Sequence, residues 1–272
     1  MFDLSGKVVV ITGGAGFLGK KHAEAIAEFK GIPIILDIDE DKCLKLATQI
    51  TNQYGVQSLG MKVDITSEHQ VAESCKEILS RFGKIDVLIN NAANDPKVTV
   101  EENGKNFSRL ENFNLDMWNK DLSVGLTGTF ICSKYFGYEI SNNPNGGSII
   151  NISSDLGLIS PDQRLYRKDG IPEDKQSVKP ITYSVVKSGL LGLTRYLATY
   201  WVDKNVRCNA ICPGGIFSNQ DEEFLNRLHK LIPMGRMAQP DEYKGIIVFL
   251  CSDAASYMNG AIISIDGGRT TW

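Results

Sequence analysis

Short, largely apolar runs alternate along this chain with longer segments of helical spacing. The runs lie at 8–11, 32–36, 59–63, 87–89, 148–152, 206–211 and 261–265. Most show no regular polar alternation, which predicts strands covered on both faces, as in a parallel sheet with helices on each side. Segments 17–29, 41–54, 68–82, 116–141, 182–202 and 240–252 carry apolar residues three and four apart, several with glycine shortly after their ends, and predict helices. Right-handed crossovers wind these into an α/β fold, a doubly wound parallel sheet of about seven strands. A chain of 272 residues with 42% hydrophobic content has core enough for one domain, residues 1–272.

Two stretches interrupt the rhythm. Residues 94–114 are polar and charged, and residues 160–180 contain three prolines, one glycine and nine charged residues. Loops of that length inside a compact domain are uncommon and often serve as lids, so 160–180 is expected to be an insertion at the active site. The alternative is a disordered surface insertion.

The net charge of −3 offers no basic excess for phosphate backbones or anionic membranes. The polar first residues and the absence of an apolar run near 20 residues argue against a signal peptide or membrane span, and a cytoplasmic protein is expected. Six cysteines, at 43, 75, 132, 208, 212 and 251, stand singly and predict free core thiols. No metal site is expected. His22, His69 and His229 fall in charged helical stretches and read as solvated positions.

The chemistry begins after the first strand, with Thr12-Gly13-Gly14-Ala15-Gly16-Phe17-Leu18-Gly19. Gly13, Gly16 and Gly19 allow a tight turn and close approach of a pyrophosphate, and Phe17 and Leu18 open a helix whose N–H groups face it. Asp37 ends the next strand 18 residues beyond Gly19, near the spacing of a ribose-binding carboxylate. A carboxylate accepts from both ribose hydroxyls and repels a 2′-phosphate, so NAD is expected over NADP. Lys20 and Lys21 would soften that preference if they turned toward the ribose.

Tyr183 and Lys187, four apart on an expected helix, share one face. A free phenol titrates near 10, too high for a base at neutral pH, but an ammonium alongside favours the phenolate. Ser154, at a strand end, is placed to hydrogen-bond a reacting oxygen.

Taken in order, the glycine loop, Asp64, Asn90-Asn91-Ala92, Ser153-Ser154, Tyr183-x-x-x-Lys187, Asn209 and Pro213-Gly214-Gly215-Ile216 resemble the short-chain dehydrogenase/reductase family over nearly the whole chain. The resemblance implies a Rossmann-type fold and hydride transfer between nicotinamide and a carbonyl or secondary alcohol. It makes Ser154, Tyr183 and Lys187 catalytic, with Ser154 favoured over Ser153 and Lys187 also on the nicotinamide ribose. Asp64 and Ile65 would contact adenine, and Asn91 and Ala92 the adenosine side. Pro213, Gly214, Ile216 and Ser218 would hold the nicotinamide end. Homodimers or homotetramers through residues 240–272 are also implied.

The chain departs from the family pattern in three places. Gly125 stands where many relatives carry an asparagine that holds a relay water, leaving Ser123 or freed backbone carbonyls as expected substitutes. The T-G-x-x-G-x-x-G spacing is that of a longer branch with a further substrate domain, yet the chain ends four residues after Gly268, which favours the shorter single-domain branch. Ser154 and Tyr183 lie 29 positions apart because 160–180 intervenes, and Arg164 and Arg167 there are candidates for an anionic, sugar-like substrate. An NAD-dependent oxidoreductase on a small polar alcohol leads; an NAD-retaining nucleotide-sugar epimerase or dehydratase, and a catalytically decayed cofactor-binding protein, stay open.

Overall fold

Val8–Thr12 is buried along its whole length and forms β1 at the middle of the sheet. In this computed structural model, which describes residues 1–94 and 106–272, the strands are β1, β2 (Ile32–Asp37), β3 (Leu59–Lys62), β4 (Val87–Asn90), β5 (Gly147–Ile152), β6 (Val206–Pro213) and β7 (Ile262–Ile265). All neighbours run parallel, in the order β3-β2-β1-β4-β5-β6-β7. The expected architecture is therefore present. Chain order reverses between β1 and β4, and a crevice opens there at the strands' C-terminal ends, where open α/β sheets take ligands.

Successive β1 side chains enter opposite layers, as strand geometry requires. Val9 and Ile11 pack under α1 (Phe17–Glu28), α2 (Glu40–Tyr54) and α8 (Lys244–Cys251). Val8 and Val10 pack under α3 (Glu68–Phe82), α5 (Thr129–Ser141) and α6 (Ile181–Tyr200). Asp39 and Ser67 cap α2 and α3 with side-chain oxygens, and Gly55 and Gly83 end them in the left-handed region. All six cysteines are free and buried.

Several expectations need correction. The single helix expected over 116–141 is instead α4 (Leu115–Leu122), a π-helical turn at Ser123–Gly128, and α5. Two glycines in this turn let neighbouring side chains approach closely. A Cβ on Gly125 would meet Val186 Cγ1 of α6 at 2.3 Å, and one on Gly128 would meet Ile65 Cδ1 at 2.7 Å. A further helix, α7 (Glu222–His229), was not anticipated, although Asp221 caps it with an acidic first turn and Arg227 and His229 close it. His22 is fully buried rather than solvated, because its position on α1 faces the core.

Residues 160–180 form an ordered segment. The Gln176 amide bonds the backbone at Lys168 and Ile171, and Leu165 packs with Leu228, Ile232 and Met237. The other polar stretch braces it where it is described: Asn106 Nδ2 donates to Ser177 Oγ at 3.0 Å, and Ser108 Oγ accepts from Val178 N at 3.0 Å. The remainder of that stretch, 95–105, lies outside the described residues.

Candidate active site

A cleft of about 890 Å³ runs along the C-terminal ends of the strands. At its nucleotide end, Gly13, Gly16, Phe17 and Leu18 line the wall. Gly13 has φ +59°, and a Cβ on Gly19 would lie 2.2 Å from Gly13 O, so the turn closes only with glycine at 19. Gly19 thus packs beneath the loop and, alone of the residues expected to hold the cofactor, does not line the cleft. The α1 N-terminus has no side-chain cap and no acidic residue in its first turn. A cradle that any Cβ would fill, at the end of an uncapped helix, fits a pyrophosphate.

Asp37, Asp64 and Ile65 line the adjoining wall. Asp37 Oδ2 accepts from Ala15 N at 3.2 Å, tying the β2 end to the loop. Lys21 is turned away into ion pairs with Glu24 and Asp241, each at 3.1 Å, and Lys20 is exposed outside the cleft. Asn91 and Ala92 also face the cleft, but the Asn91 amide donates to the carbonyls of Thr12 and Gly13, so it braces the loop as well. Thr12 Oγ1 accepts from the backbone N–H groups of both Asn91 and Ala92.

The other end gathers Ser154, Tyr183 and Lys187 with Pro213, Gly214, Ile216 and Ser218. Lys187 Nζ is buried, donates to Ile152 O at 2.9 Å, and lies 5.8 Å from the Tyr183 ring centroid. The two serines differ in employment. Ser153 Oγ donates to Lys187 O at 2.7 Å and pins α6 to β5, whereas Ser154 Oγ donates to Asp155 Oδ1 at 2.8 Å. Burial pushes the Asp155 carboxyl above its usual range, opposed by the Ser154 hydrogen bond and by Arg269. The Arg269 guanidinium, itself buried, pairs with Asp155 at 3.2 Å.

Sequence reasoning missed Lys179, whose ammonium lies 3.7 Å from the Tyr183 ring centroid, and the Asp155–Arg269 pair. Nothing local marked them, since one depends on how 160–180 returns to α6 and the other joins residues 114 positions apart. The arginines expected to face a substrate do not line the cleft. Arg164 is exposed and paired with Asp162, and Arg167 is paired with Glu173. The expected relay substitutes are engaged too: Ser123 Oγ donates to Lys120 O, and Gly125 O accepts from Thr129 Oγ1.

Comparison with known proteins agrees with this geometry. The short chain dehydrogenase profile matches residues 7–166, and an enoyl-(acyl carrier protein) reductase profile matches residues 173–270. An uncharacterized oxidoreductase of Thermotoga maritima is 35% identical, covering 98% of this chain and 99% of its own. The NAD-dependent glycerol dehydrogenase of Listeria innocua is 31% identical, covering 99% and 96%. The structure of a gluconate 5-dehydrogenase from Burkholderia cenocepacia, in complex with NADP and tartrate, superposes with a TM-score of 0.86 at 26% identity, covering 100% and 98%. With a glycine cradle at one end of the cleft, a tyrosine and lysine one helical turn apart at the other, and relatives matching end to end, the chain belongs to the short-chain dehydrogenase/reductase family of oxidoreductases.

Proposed function

We propose that this chain is an NAD-dependent dehydrogenase or ketoreductase acting on a secondary alcohol of a small, polyol-like substrate. The observation that carries the reading is the convergence of Ser154, Tyr183 and Lys187 on one end of a cleft whose other end is the glycine cradle. NAD is preferred because Asp37 stands at the ribose end while Lys21 is committed elsewhere. The glycerol dehydrogenase supports NAD; the gluconate 5-dehydrogenase holds NADP.

The nicotinamide supplies hydride acceptance or donation. Tyr183 moves the proton at its phenol oxygen, taking it from the alcohol in oxidation and giving it to the nascent alkoxide in reduction. Two ammonium groups, Lys187 and Lys179, sit near its ring and favour the phenolate. Ser154 holds the reacting oxygen. With its hydroxyl proton on Asp155 it accepts from an alcohol, and rotated away it donates to a carbonyl. Lys187 and Asp37 bind the two riboses, and Phe17 and Leu18 present backbone N–H groups to the pyrophosphate.

Beyond Ser154 the cleft mixes polar Gln220, Lys179 and Arg269 with apolar Leu165, Phe224 and Met237, a lining suited to a short hydroxylated carbon chain. The segment 160–180 contributes Pro161, Leu165, Tyr166 and Lys179 and acts as the lid of one continuous domain. The working state is a cytoplasmic homo-oligomer. Of the apolar residues on α8, Ile247, Val248 and Leu250 are buried in the chain's own core; Ile246 and Phe249 pack on that core but keep part of their surface, which with the β7 edge is available to a second copy.

The test is a panel of polyols and their ketoses with NAD and NADP in parallel, following reduced nicotinamide, beside Tyr183→Phe. Steady turnover that Tyr183→Phe lowers at least 100-fold, on the order of one general acid–base contribution, is expected. Product without net cofactor change would mean an epimerase or dehydratase. Tight NADH binding without any turnover would mean a protein that only binds.

A further inference from the structure

Behind the catalytic pair lies a second, small cavity of about 10 Å³, near the lower limit for holding one water. Tyr183 and Lys187 form one wall, and Gly125, Asp121, Thr182 and Asn94 form much of the rest. Asp121 is 5% exposed, and its carboxylate is held between Asn94 Nδ2, donating to Oδ1 at 2.6 Å, and Thr182 Oγ1, donating to Oδ2 at 2.5 Å. Both partners are neutral, and no ammonium or guanidinium pairs with it among the described residues. A buried carboxylate without a cation is costly unless it has work to do. Structural bracing alone would be served by a neutral amide in the same place.

We propose, resting on the dehydrogenase reading above, that Asp121 is the proton-relay residue of this site, exchanging a proton with Tyr183 through one water in that cavity. Each alcohol oxidised gives a carbonyl, a hydride passed to nicotinamide, and one proton. That proton reaches the Tyr183 oxygen as the alcohol O–H bond breaks, and it must leave before the next cycle. The Tyr183 O–H bond breaks as an O–H bond forms on the water, the water's own proton passes to an Asp121 oxygen, and that carboxyl gives it up to solvent water before the next cycle. Reduction runs the same transfers backwards. Gly125 offers no side chain for this task, and its carbonyl is already engaged by Thr129.

Among the described residues, the titratable groups lining this pocket are Tyr183 and Lys187 from α6 and Asp121 from α4, while Lys120 and Lys179 line the neighbouring cleft, Lys179 over the Tyr183 ring. Of these described groups Asp121 is the one carboxylic acid, and a carboxylate charge there opposes ionisation of the phenol. Removing that charge eases ionisation of the phenol.

The test uses Asp121→Asn, which keeps the shape and a hydrogen-bonding side chain, and Thr182→Val, which keeps the charge. Ultraviolet titration of each protein against its Tyr183→Phe counterpart isolates the Tyr183 phenolate without reference to turnover. Asp121→Asn should ionise Tyr183 at lower pH than wild type; Thr182→Val should do so less. In steady-state alcohol oxidation Asp121→Asn should lower kcat on the order of 10- to 100-fold, leave KM within about twofold and enlarge the solvent deuterium effect. Asp121→Glu should recover part of the rate. Unchanged Tyr183 titration and unchanged kcat in Asp121→Asn, with a wild type that turns over, would overturn the relay and leave the dehydrogenase reading intact. A wild type that oxidises no alcohol would overturn the dehydrogenase reading and the relay with it.

Discussion

Replacing His22 by leucine should flatten the acid side of the stability profile. The imidazole is fully buried on α1, and neither ring nitrogen meets a hydrogen-bond partner. Burial holds it neutral and pushes its pKa down to about 4, even though Asn91 lies close enough to offset part of that penalty. An unfolded histidine titrates near 6.5, so the unfolded chain binds a proton between 6.5 and 4 that the folded chain refuses. The stability tied to His22 is therefore complete above pH 6.5 and is lost as pH falls toward 4. The full loss is about 3 kcal/mol, of which about 2 kcal/mol has gone by pH 5. Urea unfolding followed by tryptophan fluorescence at pH 7.5 and pH 5 measures it, because every other titrating group is common to both proteins. His22→Leu should match or exceed wild type at pH 7.5, having two fewer unpaired buried polar atoms. It should also lose about 2 kcal/mol less than wild type on going to pH 5. Equal losses in the two proteins would refute the reasoning.

Gly19→Ala should weaken NADH binding at least tenfold while the chain still folds, since its new methyl group has Gly13 O at 2.2 Å and Gly14 Cα at 2.7 Å; fluorescence titration with NADH checks this, and unchanged affinity would speak against the cradle. Arg269→Met should cost about 3 kcal/mol in urea unfolding, because it strands the buried Asp155 carboxylate without its cation. Adding Asp155→Asn to it should restore part of that loss.

The sheet was legible because most of β1 and β2 and the first three residues of β4 are runs of apolar residues, and nothing competes with that signal in a strand covered on both sides. The site was legible where chemistry depends on local spacing, as in the glycine loop and the Tyr183–Lys187 turn. It was opaque where a role depends on what packs opposite. Helical periodicity runs straight through 116–141 and gives no sign of the π turn there, nor of the close approach of Val186 and Ile65 to Gly125 and Gly128. His22 looked solvated beside Lys20, Lys21 and Glu24, yet one residue's rotation around α1 turns it into the core. Lys179, Arg269 and Asp121 carry no motif; their importance comes from distant partners.

The contact between Gly125 and Val186 also constrains how this chain can change. Because a Cβ at 125 would lie 2.3 Å from Val186 Cγ1, an asparagine at 125 and a valine at 186 exclude each other on this backbone. Introducing the asparagine demands a smaller residue at 186, and shrinking 186 first opens a void beside α6. Neither order has a neutral first step, so substitutions at 125 and 186 act together rather than independently.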